Sequence, residues 1–175
     1  MVSILSSNRI DLHKPSVNIF EVGKTGLSAL EHQLTILFSD LQELYQNTVF
    51  TLEGSGQPWK ACISQEDSDV LFRILLEATD NSLKHSRATH IQASIKFIGV
   101  DLIQCTVSDN GVGFDLDKIA ASKRHSGIKR ICHATHQIGG RVVFNSSPGK
   151  GSQVVIAKPI EKQKARFYTR LVALF

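Results

Sequence analysis

At 175 residues, 42% hydrophobic and 21% charged, the chain is long enough for one domain with a proper core and too short for two comfortable ones. That balance excludes a disordered tail, a fibre and a membrane-embedded protein. The formal charge of +4 comes from 20 Lys and Arg against 16 Asp and Glu; the basic residues are scattered, without a run of five, so no nucleic-acid partner is expected.

Cys62, Cys105 and Cys132 form no CxxC pair and are odd in number, which fits free thiols in a reducing compartment. No apolar stretch approaches the length of about 18 residues that a spanning helix needs. The N-terminus lacks the charged-then-apolar order of a signal peptide. A cytoplasmic location, with no membrane contact by this chain itself, is the expectation.

Residues 1–25 form a lead-in without a legible pattern. From about Leu27 to Tyr45, Leu30, Leu34, Leu37, Phe38, Leu41 and Leu44 recur at helical spacing and predict an amphipathic helix. A strand-like run from Thr48 to Leu52 is closed by the turn residues Gly54 to Pro58. Ser64-Gln65-Glu66-Asp67 reads as a helix start with acid in its first turn. That helix runs to about His85 on a stripe of Val70, Leu71, Ile74, Leu75, Ala78 and Leu83.

Two strands follow. From His90 to Ile98, Ile91, Ala93, Ile95 and Phe97 alternate with polar residues; from Leu102 to Ser108, Ile103, Cys105 and Val107 do the same. Gly99-Val100-Asp101 joins them as a hairpin. After Asp109 come a glycine turn, a polar stretch and a helix from about Gly127 to Gln137, stopped by Gly139-Gly140. A second hairpin pairs Arg141 to Phe144 with Gln153 to Ala157. Hairpin-forming strands with helices able to cover one face make an α+β fold, a two-layer α/β sandwich. One domain is expected over 26–160, with a cationic and then apolar extension over 161–175.

Four segments carry groups suited to chemistry. Glu77, Asn81, Lys84 and His85 share one helix stripe, and a carboxylate, an amide, an ammonium and an imidazole there suit Mg²⁺ and phosphate oxygens. A solvated polar face is the ordinary alternative. Asp109-Asn110-Gly111-Val112-Gly113 follows a strand directly; alternate glycines let backbone approach a flat or charged ligand, although such a run also makes a plain turn. Ser126-Gly127-Ile128 opens a helix whose free N–H groups favour phosphate. Gly149-Lys150-Gly151-Ser152 lies in the second hairpin. Each is weak by itself.

In this order and at these intervals the four segments resemble the N box, the glycine boxes and the terminal glycine-Thr/Ser element of the GHKL superfamily, whose fold is also called the Bergerat fold. The nearest likeness is to the ATP-binding catalytic domain of sensor histidine kinases. Their E-A-x-x-N-x-x-K-H-x-x-A pattern is matched from Glu77-Ala78 through Asn81, Lys84-His85 and Ala88. Their later pattern is matched by Gly127-Ile128, Gly139-Gly140 and Ser146-Ser147-Pro148-Gly149-Lys150-Gly151-Ser152. The resemblance covers about Gly26 to Ile160.

That resemblance implies a mixed, mostly antiparallel sheet covered by helices on one face, with ATP and Mg²⁺ as cofactors. Asn81 would hold Mg²⁺, with Lys84 and His85 near the phosphates. Asp109 would accept a hydrogen bond from the adenine amino group, and Gly111 and Gly113 would give the nucleotide room. The stretch from Asp115 to Ser126 would be a short mobile lid. Gly127 and Ile128 would meet the nucleotide at a helix start, and Ser152 would stand near adenine. Glu77 occupies the position of a general base in hydrolysing relatives; in kinases it would orient the acceptor imidazole. Two departures bear on catalysis more than on fold: His125 replaces a glycine of the second glycine box, and Ala134 stands where an Arg is usual.

The implied reaction is transfer of the ATP γ-phosphate to a histidine on a dimerisation segment or partner, with a response regulator downstream. His32 is the one upstream histidine within a helix and reads as a surface residue. The acceptor is therefore expected outside this chain. His133 and His136 form no metal-ligand pattern. A stand-alone serine kinase of the anti-sigma type and a partner-binding relative without catalysis are the alternatives.

Overall fold

The computed structural model describes residues 26–55, 63–99, 101–121 and 126–160. The lead-in over 1–25, the extension over 161–175, Cys62 and His125 lie outside them. The first helix, α1 (Gly26–Leu44), buries Leu27, Leu30, Leu34, Phe38 and Leu41 along one stripe, at the three- and four-residue steps that place side chains on one helix face. His32 is exposed on it. Strand β1 (Val49–Glu53) follows and inserts Phe50 into the core.

The second helix, α2 (Gln65–His85), starts where the Ser64 hydroxyl caps it by accepting from the Asp67 N–H at 3.0 Å. Glu66 and Asp67 lie in the first turn and Lys84 and His85 in the last, each sign favourable to the helix dipole. The chain start of α1 packs on that of α2: Ser68 Oγ donates to the Gly26 carbonyl at 2.6 Å. Strands β2 (His90–Ile98) and β3 (Leu102–Asp109) form the expected antiparallel hairpin, register Ile91↔Asp109 to Ile98↔Leu102. Ile91, Ala93, Ile95, Ile103, Cys105 and Val107 turn inward.

A short helix, α3 (Leu116–Ala121), forms within the polar stretch that follows the glycine turn. Asp115 starts it by accepting from the N–H groups of Asp117 and Lys118, a side-chain cap on backbone donors. Helix α4 (Ser126–Gln137), strand β4 (Arg141–Ser146) and strand β5 (Ser152–Pro159) complete the chain. Both strands of the second hairpin run longer than expected: their ladder extends to Ser146↔Ser152, and β5 continues along β3 as far as Pro159.

The sheet order is β1-β2-β3-β5-β4, with β1 parallel to β2 and every other pair antiparallel. This is the mixed, mostly antiparallel sheet. Helices α1, α2 and α4 pack on the face that presents Phe50, Ile91, Ile103 and Ile156. The central position of β3 matters most for the site, because it delivers its last residue, Asp109, beneath α2.

Candidate functional site

Asp109 is a buried carboxylate at the carboxyl end of β3. Its Oδ2 accepts from Ser82 Oγ of α2 at 2.9 Å and from Ser152 Oγ of β5 at 2.5 Å. Its Oδ1 accepts from the Gly111 N–H at 2.9 Å. Three donors from three elements fix the carboxylate, and charge-assisted bonds of this kind are stronger than neutral ones.

The loop after Asp109 is tied on both sides. Asn110 Oδ1 accepts from the Thr89 and His90 N–H groups at 3.0 and 2.9 Å. The Val112 N–H donates to the Ser86 carbonyl, and the Val112 carbonyl accepts from Gly149, each at 2.7 Å. A Cβ on Gly111 would lie 2.2 Å from the Ser86 carbonyl oxygen. One on Gly113, where φ is +61°, would lie 2.2 Å from the Ser147 carbonyl oxygen. Both glycines thus permit close backbone contacts within the protein itself.

Above this loop a cavity of about 440 Å³ opens between α2, α4 and the β4–β5 hairpin, within the range of roughly 300–1,000 Å³ usual for small-molecule sites. It gathers Glu77, Asn81, Lys84, His85, Asp109, Gly113, Gly127, Ile128 and Ser152, so nine of the ten residues singled out from the sequence share one wall system. Gly111 lies just behind it, against Ser86. Apolar walls come from Phe114, Ile119, Ile131, Phe144 and Val154, suited to one face of a flat ring.

The α2 side of the cavity is charged. Glu77 is buried, and its Oε1 accepts from Arg130 Nη2 of α4 at 3.1 Å. Asp80, also buried, accepts from Lys84 Nζ one turn on. The start of α4 lies hard against this side: a Cβ on Gly127 would sit 2.6 Å from Glu77 Oε1 and 3.1 Å from both amide atoms of Asn81. At the start of α3, the Lys118 backbone N–H holds the Asp115 carboxyl below its ordinary value, with help from the Lys118 ammonium.

The sequence reading missed Ser82, Asp80 and Arg130. Ser82 had a signal: it follows Ala78 by four on the core face of α2, where a small polar group needs a partner. Asp80 and Arg130 are charges on helices that place them toward the cavity, and local sequence does not separate them from solvated surface charges. Ala134 is half-buried on α4, away from the cavity lining. Among the described residues no His/Cys/Asp/Glu cluster forms a metal site, and no helix is long and apolar enough to cross a membrane.

The two-layer sandwich thus carries a buried aspartate at the end of its central strand, facing α2 across a cavity of small-molecule size. Residues 66–162, more than half of the chain, match the Histidine kinase-, DNA gyrase B-, and HSP90-like ATPase family, and the chain belongs to that family. An uncharacterized sensor-like histidine kinase of Chloroflexus aurantiacus is 33% identical over 118 residues, 66% of this chain and 20% of that protein. Sensor histidine kinase LiaS of Bacillus subtilis is 36% identical over 98 residues, 56% of this chain and 26% of that protein. The chain therefore spans about a fifth to a quarter of these relatives.

The histidine kinase domain of the Erythrobacter litoralis blue-light activated histidine kinase superposes with a TM-score of 0.64 at 17% identity, over 77% of this chain and 63% of that one. Mycobacterial sensor histidine kinase MprB gives 0.57 at 15% identity, over 78% and 95%. These two establish the fold. The family match makes this an ATPase domain of that family, and the sequence relatives to which it is similar are sensor histidine kinases.

Proposed function

We propose that this domain binds Mg-ATP in the cavity between α2 and α4 and presents the γ-phosphate to a histidine borne on a separate segment or protein. The observation that carries the reading is Asp109, fixed by Ser82, Ser152 and the Gly111 N–H at one end of the cavity, with the oxygen- and nitrogen-bearing edge of α2 at the other. Asp109 takes the adenine amino group as donor, Phe144 and Val154 wall the ring, and the phosphates extend toward Asn81 and Lys84.

The donor set fits the metal. Asn81 supplies an amide oxygen and stands beside the Glu77 carboxylate, and Mg²⁺ takes hard oxygen ligands while keeping water and phosphate in its shell. When bound, Mg²⁺ supplies charge neutralisation at the phosphates. The chain's own residues position the reactants: Glu77 orients the incoming imidazole through its N–H, His85 and Lys84 border the path of the phosphoryl group, and the start of α4 meets phosphate with its N–H groups. The acceptor nitrogen bonds to the γ-phosphorus as the bond to the β–γ bridging oxygen breaks, and ADP leaves. A response regulator would then draw the phosphoryl group onward. Use of ATP, with Cys105 and Cys132 as free thiols, favours a cytoplasmic setting.

Calorimetric titration of Mg-ATP into the wild type, Asn81→Ala and Asp109→Ala tests the site. The wild type binds, and both variants lose most of the signal while keeping their circular dichroism. Incubation with a histidine-bearing dimerisation segment and labelled ATP then yields acid-labile phosphohistidine. Acid-stable phosphoserine would establish the serine-kinase alternative, and absence of nucleotide binding at millimolar concentration removes the kinase reading.

A further inference from the structure

We propose that Arg130 is the residue that selects the triphosphate over the diphosphate in this site, by contacting the terminal phosphate; this rests on the nucleotide-binding reading above. The argument begins with charge. The α2 edge of the cavity carries two buried carboxylates, Glu77 and Asp80. The ammonium that the sequence offers for phosphate, Lys84, is paired with Asp80. Leaving the His85 imidazole aside, Glu77, Asp80 and Lys84 sum to −1, a hostile end for a polyanion. Arg130, on the opposing helix, is the cation that brings the sum to zero.

Its geometry suits the task. The Arg130 side chain is 62% exposed and reaches Glu77 Oε1 through one nitrogen at 3.1 Å. A guanidinium carries five N–H donors in a planar fork, so one bond to Glu77 leaves donors over for an oxyanion beside it. Arg130 follows Gly127 by one helical turn, and both line the cavity together with Glu77. Glu77 stands where the acceptor imidazole must approach, which places Arg130 at the terminal phosphate and not at the adenine. Pairing with Glu77 holds the guanidinium at the cavity mouth, and planar forks match phosphate oxygens better than a point charge does.

The experiment measures affinities of Mg-ATP, Mg-ADP and AMP for the wild type, Arg130→Ala and Arg130→Lys by calorimetry. Arg130→Ala is expected to weaken ATP about tenfold while ADP and AMP stay within about twofold, and Arg130→Lys to restore part of the ATP affinity. An equal fall for all three nucleotides would make the pair with Glu77 a structural one and overturn the assignment. So would an equal fall for ATP and ADP, which places Arg130 at the inner phosphates, or no change at all. If the wild type binds none of the three, the nucleotide-site reading falls and this assignment with it.

Discussion

Asp109 ends β3, Ser152 begins β5, and the two stand opposite each other in the sheet register with the serine hydroxyl donating to Asp109 Oδ2 at 2.5 Å. The sheet itself therefore sets the carboxylate, and Ser82 holds it from the helix side. Asp109→Asn keeps the volume and removes the charge. Its expected effect is a loss of Mg-ATP affinity of about tenfold or more, as for a bond to a charged group. Ser152→Ala and Ser82→Ala each remove one donor, costing about 1–3 kcal/mol of stability by leaving the buried carboxylate short of a partner. Calorimetry and thermal melting read the two effects apart. Nucleotide binding by Asp109→Asn at wild-type strength would show that adenine is recognised elsewhere.

Gly139 and Gly151 both have left-handed backbone, φ +66° and +72°, yet they differ in surroundings. A Cβ on Gly139 meets nothing within 4 Å, whereas one on Gly151 lies 2.1 Å from the Asp109 carbonyl oxygen. Gly139→Ala is expected to cost about 1–2 kcal/mol from backbone strain alone. Gly151→Ala adds a collision with backbone, for a total of about 2–5 kcal/mol, and shifts Asp109 so that nucleotide affinity falls too. Urea unfolding of both variants settles the contrast. Equal costs would mean that the β5 hairpin is free to move away from Asp109.

The elements legible in the sequence are those that local chemistry decides. Ser64 caps α2 because a hydroxyl beside free N–H groups needs no tertiary partner. The alternation of Ile91, Ala93 and Ile95 buries one face whatever the strand order. The parallel pairing of β1 with β2 was not legible, because it joins Val49 to His90 through non-local register. Likewise Arg130 and Glu77 meet from 53 positions apart, and Ser82 and Asp109 from 27. The short helix α3 rests on Asp115 capping two N–H groups, a signal too brief for a periodic pattern to register.

Gln42 shields the edge of the sheet. Its Oε1 accepts from the Phe50 N–H at 3.0 Å and its Nε2 donates to the Thr48 carbonyl at 3.2 Å, so one amide side chain occupies β1 backbone groups that a foreign strand would otherwise pair with. Gln42→Ala is expected to cost about 1–2 kcal/mol, the worth of two partly exposed bonds, and to raise aggregation on heating. Gln42→Glu, which retains the acceptor and loses the donor, should fall between. Melting and light scattering on the same samples provide the check; an unchanged melting curve for Gln42→Ala would mean that water replaces the amide without loss.

Cys105 gives the stability a dependence on alkaline pH. The thiol is buried inside β3, and that burial, with a smaller contribution from the Glu31 charge, pushes it from 9.0 up to about 12. Well below pH 9 the thiol is protonated folded and unfolded, and it contributes no slope. Between the two values the unfolded chain has released the proton and the folded one has kept it. Stability therefore declines as pH rises, by at most about 1.4 kcal/mol per pH unit for one group. Cys105→Val removes the titration, so its stability relative to wild type is expected to be constant up to pH 8.5 and to improve steadily above 9. In the wild-type protein, iodoacetamide at pH 8 should label the exposed Cys132 and spare Cys105. Equal labelling of the two in the folded protein would show that β3 opens readily, and a pH-independent difference between Cys105→Val and wild type would show that the thiol ionises without cost.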